Sequence, residues 1–187
     1  MMTRTVSAIV TILTLVSSNY LAYAVPYESP IIVAQSVWRP FRDPNGKFTV
    51  LMPGDPKQQR QQQQTRLGNL DIYTFAVEQP GLSAHLVTYT DFPAESIQNV
   101  DPNKLLDSGR DEVLRRVQGS LLSESRISLN GAPGRELKIK APGDLIIHSR
   151  IYMVNQRLYQ LIVVAPASKA ANLSGSIRGF FQSFRLL

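Results

Sequence analysis

The stretch that decides the fold is RELKIKAPGDLIIHSRIYMVNQRLYQLIVVA, residues 135–165. It divides into three consecutive segments with strand character, Arg135–Ala141, Leu145–Val154 and Leu158–Ala165, which are separated by turn-forming residues. The last segment is almost entirely apolar, whereas a strand with one solvated face alternates apolar and polar residues. We therefore expect Leu158–Ala165 to be covered on both faces and to lie near the middle of a sheet.

Further strand patterns precede this stretch. They are Lys47–Met52, with Phe48 and Val50 on one face, Asn69–Glu78, Leu82–Phe92 and Leu121–Leu129. The run Gln58–Gln64, broken only by Arg60, lacks apolar periodicity and is expected to form an exposed loop or a ragged strand edge. Trp38 and Phe41 are expected to pack the start of the domain against the core.

Two helices are predicted between and after the strands. The first covers residues 101–118, with Asp101 as N-cap, Pro102 at the first helical position and Gly119 at its end. The second is Ala167–Gln182 with Ser168 as N-cap, and Ser183–Leu187 is expected to form a final extended segment along the sheet. The chain is thus predicted to be α+β, a mainly antiparallel sheet of about six to seven strands with helices packed on it.

The N-terminus has the pattern of a signal peptide, residues 1–24. Arg4 precedes the apolar segment Val6–Val16, and Ala22-Tyr23-Ala24 is a small-x-small cleavage pattern. A membrane anchor is the alternative, although the apolar segment is shorter than the roughly 20 residues that span a bilayer. We expect an exported protein in the periplasm, the thylakoid lumen or the extracellular space, with a flexible leader at 25–36 and a single domain at 37–187.

The net charge of +6 at pH 7 is unevenly distributed. All 14 acidic residues lie before position 145, whereas the rest of the chain contains five basic residues, Arg150, Arg157, Lys169, Arg178 and Arg185. Such an asymmetry can mark a face that meets an acidic partner or an anionic surface, and Arg150 and Arg157 are then expected to contribute to the contact. We favour the interpretation that five scattered cations solubilise a very apolar segment. No nucleic-acid-binding motif is present, so no nucleic-acid partner is expected.

The sequence contains no motif that indicates a reaction. Absence of cysteine excludes disulfides, thiolate metal sites and cysteine nucleophiles. His85 and His148 fall on predicted strands, where each is expected to be a half-buried or surface residue, and no spacing indicates a metal site. A Ser-His-Asp group assembled in space stays open, although no Gly-x-Ser-x-Gly turn supports it. We predict no catalytic, cofactor-binding or metal-binding residue, no cofactor and no enzymatic activity.

Three further segments form a pattern of their own: Gly46–Pro53, Asn155–Leu161 and Ser183–Arg185. Together they resemble the PsbP-like superfamily, which includes PsbP and the Mog-type Ran-binding proteins, with Gln156 at the position of the usual glycine in the late hairpin. The resemblance implies an α/β/α sandwich and a binding or assembly role. It also implies that relatives in photosynthetic organisms act on the lumenal side of thylakoids beside photosystem II.

Three functional hypotheses follow from these observations. The first is a non-enzymatic exported protein that binds a protein partner, acidic or membrane-associated, in a photosynthetic or envelope membrane complex. The second is a small-molecule or lipid carrier with a cavity between sheet and helices. The third is an enzyme whose site combines His85 or His148 with a serine and an acid in one cleft.

Overall fold

A computed structural model describes residues 37–65 and 68–187. The predicted signal peptide, 1–24, and leader, 25–36, lie outside the described residues. The strands of the described part are β1 (Arg39–Asp43), β2 (Phe48–Met52), β3 (Lys57–Thr65), β4 (Gly68–Gln79), β5 (Ser83–Asp91), β6 (Ser120–Leu129), β7 (Ala132–Ala141), β8 (Leu145–Val154), β9 (Arg157–Pro166) and β10 (Arg185–Leu186). Its helices are α1 (Ala94–Ile97), α2 (Pro102–Arg116), α3 (Ala167–Ala170) and α4 (Ser174–Ser183).

Seven strands form the main sheet, in the order β3-β4-β5-β9-β8-β7-β6, and every neighbouring pair is antiparallel. β9 is the central strand, and each residue from Leu158 to Ala165 is buried. The prediction of a central strand covered on both faces is confirmed. The α+β fold class is confirmed as well.

Two separate hydrophobic clusters lie on the two faces of the main sheet. On one side, which we call the helix face, α2 buries Leu106 and Val113 against strand residues such as Ile139. On the other side, which we call the cover face, β1, β2 and β10 form a second, three-stranded sheet that packs there together with α4. Phe48 of β2 and Phe180 of α4 are both fully buried in this second cluster.

Helix α2 begins where the sequence predicts a helix start. The side chain of Asp101 accepts a hydrogen bond from the backbone N–H of Asn103 at 2.9 Å, and Pro102 follows at the first helical position. An ion pair then fixes α2 on the sheet, because the buried Arg135 of β7 places its Nη2 2.7 Å from Oδ1 of the more exposed Asp107. Glu124 of β6 joins the same network at 3.3 Å from Arg135 Nε.

The prediction of one helix from Ala167 to Gln182 is wrong. The segment forms two helices, α3 and α4, separated by a turn, and Ser168 does not cap either of them. A continuous helix of this length would run straight for about 24 Å. Instead, α3 packs at the ends of β8 and β9, while α4 packs against β2 on the cover face. The turn allows both contacts.

One prediction about the edge of the main sheet is confirmed, and two other features of the fold differ from the prediction. The glutamine-rich run forms β3, which pairs with β4 along its whole length at the edge of the main sheet, so the strand-edge alternative is confirmed. An edge strand needs no apolar face when it is solvated on both sides. The predicted strand Lys47–Met52 and the final segment Ser183–Leu187 belong to the small sheet, where Arg185 pairs with Thr49. The short helix α1 was not predicted.

Candidate partner-binding surface

Arg157, one of the two cations expected to contact a partner, is engaged within the molecule. Its Nε and Nη2 each lie 2.6 Å from a carboxylate oxygen of Asp91, and its Nη1 donates to the carbonyl of Asn45 at 2.9 Å. The guanidinium carbon lies 4.6 Å from the centre of the Tyr89 ring. These contacts raise the pKa of Arg157 above its usual value, with the hydrogen bond to Asp91 as the largest cause.

Arg150 is engaged in the same way. Its Nε donates to Oε2 of Glu136 on the neighbouring strand β7, and its guanidinium carbon lies 5.0 Å from the centre of the Phe181 ring. Each of these two arginines has a carboxylate partner, so neither adds a free positive charge to the surface. Cations without a carboxylate partner among the described residues lie elsewhere.

Such cations line the part of the cover face that α4 leaves open. Lys138 of β7 pairs directly with His148 of β8, and directly paired residues lie about 4.5–5.5 Å apart on the same face of a sheet. Lys140 follows two residues later on β7 and therefore projects from the same face. We call Lys138, Lys140, His148 and Arg178 the basic shelf.

Arg178 reaches the basic shelf from α4. Residues three apart share one side of a helix, so Arg178 lies on the flank of Phe181, whose ring contacts Arg150 on β8. The other flank of α4 meets the small sheet, because Ser183 Oγ accepts a hydrogen bond from the backbone N–H of Leu51 at 2.9 Å. Arg178 is therefore exposed on the side of α4 that is opposite to Ser183 and the small sheet.

The shelf is positively charged because its cations have no carboxylate partners. Lys138, Lys140 and Arg178 form no ion pair with any residue in the described part of the chain, and Glu136 is already paired with Arg150. Burial lowers the pKa of His148, and the positive charge of Lys138 lowers it further. The charge of the shelf near neutral pH thus comes from the two lysines and Arg178.

The floor of the shelf continues onto the edge strand β6 through small polar side chains. Ser123 pairs with Lys138 and Ser125 pairs with Glu136, and both serines are exposed. Lys169, another of the basic residues noted in the sequence, is exposed on α3, at the end of the sheet where β7 finishes. The result is an open, polar, cationic strip beside α4.

Sequence reasoning missed the two lysines of the shelf, although a signal for them was present. The alternation in Arg135–Ala141 places Lys138 and Lys140 on one face of a strand. That pattern does not show that α4 leaves this part of the face uncovered. The lysines were therefore indistinguishable from ordinary solvated strand residues.

The two histidines lie on the cover face, and among the described residues neither belongs to a serine–histidine–carboxylate group. His85 of β5 is 1 % exposed, not half-buried as expected, and its Nδ1 lies 3.5 Å from Ser83 Oγ. The Ser83 hydroxyl donates to Oε1 of Gln79, and neither His85 nor His148 contacts a carboxylate among the described residues. In the same part of the chain, no group of three or more His, Asp or Glu side chains could hold a metal ion.

One cleft of about 460 Å³ is open to solvent at the end of the sheet. Its lining residues are Ala94, Glu95, Ile97, Gln98, Asn155 and Gln156. These belong to α1 and the β8–β9 turn, so the cleft does not lie between the main sheet and α2 or α4. It gives no specific support to the carrier hypothesis.

The three segments that carry the sequence resemblance meet where the cover joins the main sheet. The hydroxyl of Tyr159 donates to the carbonyl of Gly46 at 2.7 Å, and the rings of Tyr159 and Phe184 lie 5.5 Å apart. Gly46 leaves no room for a side chain, because a Cβ there would lie 2.6 Å from Asp43 Oδ2. The three segments therefore pack together at one place in the fold.

Comparison with known proteins shows which fold the chain has. No known family's sequence profile and no curated protein matches the chain. The solution structure of cyanobacterial PsbP (CyanoP) from Synechocystis sp. PCC 6803 does match, with a TM-score of 0.60 and 11% sequence identity over 87% of this chain and 99% of that chain. The chain has a PsbP-like fold.

A second similar structure is PA94 from Pseudomonas aeruginosa, a protein of unknown function. Its TM-score is 0.39, with 9% identity over 78% of this chain and 94% of that chain. In the late hairpin, Asn155 takes the left-handed conformation, with φ of 54°, whereas Gln156 does not. Within residues 37–65 and 68–187, no helix is long and apolar enough to cross a bilayer.

Proposed function

We propose that the protein is a non-enzymatic, exported binding module that holds an acidic segment of a protein partner on the basic shelf. The observation that carries this proposal is a set of three cations, Lys138, Lys140 and Arg178, that share one open surface without carboxylate partners among the described residues. Unpaired charges of one sign on a surface steer an oppositely charged partner and contribute to specificity.

The location and type of partner follow from the sequence and the fold. The signal-peptide pattern in residues 1–24 supports export to the periplasm, the thylakoid lumen or the medium. The PsbP-like fold supports an assembly role in a photosynthetic or envelope membrane complex. The absence of a serine–histidine–carboxylate group among the described residues supports a role without catalysis.

Charge reversal on the shelf tests the proposal. The variant Lys140→Glu/Arg178→Glu changes two exposed side chains that form no ion pair with a described residue, so the fold is expected to stay intact. The matched control is Lys104→Glu/Arg126→Glu. It makes the same charge change with exposed residues of α2 and of the helix face, because Arg126 pairs with Arg135.

Wild type and both variants are used as bait for envelope proteins, and captured proteins are quantified by mass spectrometry. We expect a partner that wild type and the control capture equally. The shelf variant should capture at least about ten-fold less of it. Its capture should fall as salt is raised, because the contact is exposed and electrostatic. Partners that bind all three baits equally at every salt concentration would contradict the proposal.

A further inference from the structure

The outer face of the small sheet forms a second basic surface, separate from the shelf. Arg42 of β1 and Arg185 of β10 both pair with Thr49 of β2, so the three side chains form one row across the sheet. Pro40 pairs with Leu51 in the adjacent row. Neighbouring strands lie about 4.8 Å apart, which places the two arginines roughly 10 Å apart.

This surface also exposes apolar side chains. Two of the large hydrophobic residues that are exposed in the described part of the chain belong to this face: Leu51 lies in the row next to Thr49, and Leu187 follows Arg185 by two residues. Leu187 is held at the sheet by its backbone N–H, which donates to the carbonyl of Lys47 at 2.9 Å. The apolar residues and the arginines thus occur on the same small element.

The cations of this surface are not neutralised within the molecule. Arg42, Lys47 and Arg185 are exposed and form no ion pair with a described residue. The carboxylates of β1 and of the segment after β2 are already engaged, since Asp43 accepts a hydrogen bond from the backbone N–H of Gly46 and Asp55 pairs with Arg39 at 3.0 Å. Arg185 also donates to the carbonyls of Gln182 and Phe184 at the end of α4.

We infer that the outer face of the small sheet docks on a membrane that contains anionic lipids. Cations beside exposed apolar side chains are the composition of surfaces that lie in the headgroup region, where each Lys or Arg adds electrostatic attraction and apolar groups enter the acyl boundary. An acidic protein segment would complement the cations of Arg42 and Arg185 but would give no role to Leu51. The basic shelf, which has serines on its floor, lacks this apolar component.

Vesicle binding tests the inference with the full chain, so that residues 1–36 contribute equally to every variant. Vesicles of phosphatidylcholine alone are compared with vesicles that also contain phosphatidylglycerol. We expect wild type to bind the anionic vesicles more tightly. Arg42→Glu/Arg185→Glu should lower this binding roughly 25-fold or more, on the basis of about five-fold per cation. Leu51→Ser should lower it less, and raised salt should weaken it.

Two controls separate this surface from the shelf. Lys104→Glu/Arg126→Glu carries the same charge change on the other side of the molecule, and Lys140→Glu/Arg178→Glu removes the shelf; both should bind anionic vesicles as wild type does. The neutral pair Arg42→Gln/Arg185→Gln provides a milder variant if the charge reversal unfolds the small sheet. Equal binding to both vesicle types, equal loss in the controls, or capture of soluble polyglutamate in place of vesicles would overturn the inference.

Discussion

At the scale of single residues, the fold changes the chemistry of His85 by burying it. Its ring lies between Trp38 and Phe180, with ring centres 5.4 and 5.2 Å away, both in edge-to-face geometry. Its Nε2 has no hydrogen-bond partner, and burial lowers its pKa to about 4. The neutral imidazole therefore serves as a packing element that joins the cover to the main sheet.

This arrangement predicts a loss of stability in mild acid. The unfolded chain binds a proton at His85 near pH 6.5, whereas the folded chain does so only near pH 4, so the free energy of unfolding falls as pH decreases through that range. A shift of this size corresponds to about 3 kcal/mol. In His85→Phe this contribution should be absent. Urea unfolding of both proteins at pH 7, 5.5 and 4.5 measures the difference, and identical pH dependence would contradict the assignment.

The sequence predicts the strand that carries His85 but not its burial. The segment Leu82–Phe92 has strand composition throughout, and β5 occupies nearly the same residues. Whether a histidine on that strand is solvated depends on Trp38 and Phe180, which come from distant parts of the chain. Local patterns carry no information about such a contact.

At the scale of elements, helix starts were predicted where the signal is local and were wrong where tertiary packing decides. The start of α2 is set by Asp101 and Pro102 through contacts within three residues. The break between α3 and α4 arises because one segment must pack on two different parts of the sheet. Ser168 had the right residue type for a cap, but it lies inside α3, where it is exposed and caps nothing.

Two alanine substitutions compare the contribution of Asp101 to stability with that of Ser168. Asp101→Ala should destabilise the protein by about 1 kcal/mol, because the N–H of Asn103 loses its acceptor. Ser168→Ala should change stability by less than about 0.5 kcal/mol. Thermal or urea unfolding at pH 7 compares both with wild type. A larger cost at Ser168 than at Asp101 would show that the caps are assigned incorrectly.

At the scale of the whole molecule, the two basic surfaces lie on opposite flanks of α4. The shelf lies beside Phe181 and the small sheet lies beside Ser183. A helix with its side chains is about 10–12 Å across, which exceeds the Debye length of about 8 Å at physiological salt. The two surfaces can therefore be occupied at the same time, because salt screens most of the electrostatic interaction between their partners.

The composition of the sequence indicated a basic C-terminal part, but it could not group the charges correctly. Two of the five cations in this part, Arg150 and Arg157, form ion pairs with Glu136 and Asp91. The small sheet brings Arg42, near the start of the domain, beside Arg185, near the end of the chain. Only the strand register reveals that these charges belong to one surface.

If both proposals hold, one molecule should bridge an anionic membrane and an acidic polypeptide. Anionic vesicles mixed with wild type should recruit a fluorescent polyglutamate peptide, whereas Arg42→Glu/Arg185→Glu should leave the peptide in solution with the protein. Lys140→Glu/Arg178→Glu should bind vesicles without recruiting the peptide. Co-sedimentation with fluorescence detection measures both steps, and Lys104→Glu/Arg126→Glu should behave as wild type.

A mixture of the two inactive variants is the decisive control, because each supplies one working surface on a separate molecule. Recruitment requires both surfaces on the same polypeptide if α4 simply separates two independent sites, so the mixture should fail. Recruitment restored by the mixture would show that copies of the chain associate and share surfaces. Failure of wild type to recruit the peptide, while it binds vesicles and peptide separately, would show that the two surfaces exclude each other across α4.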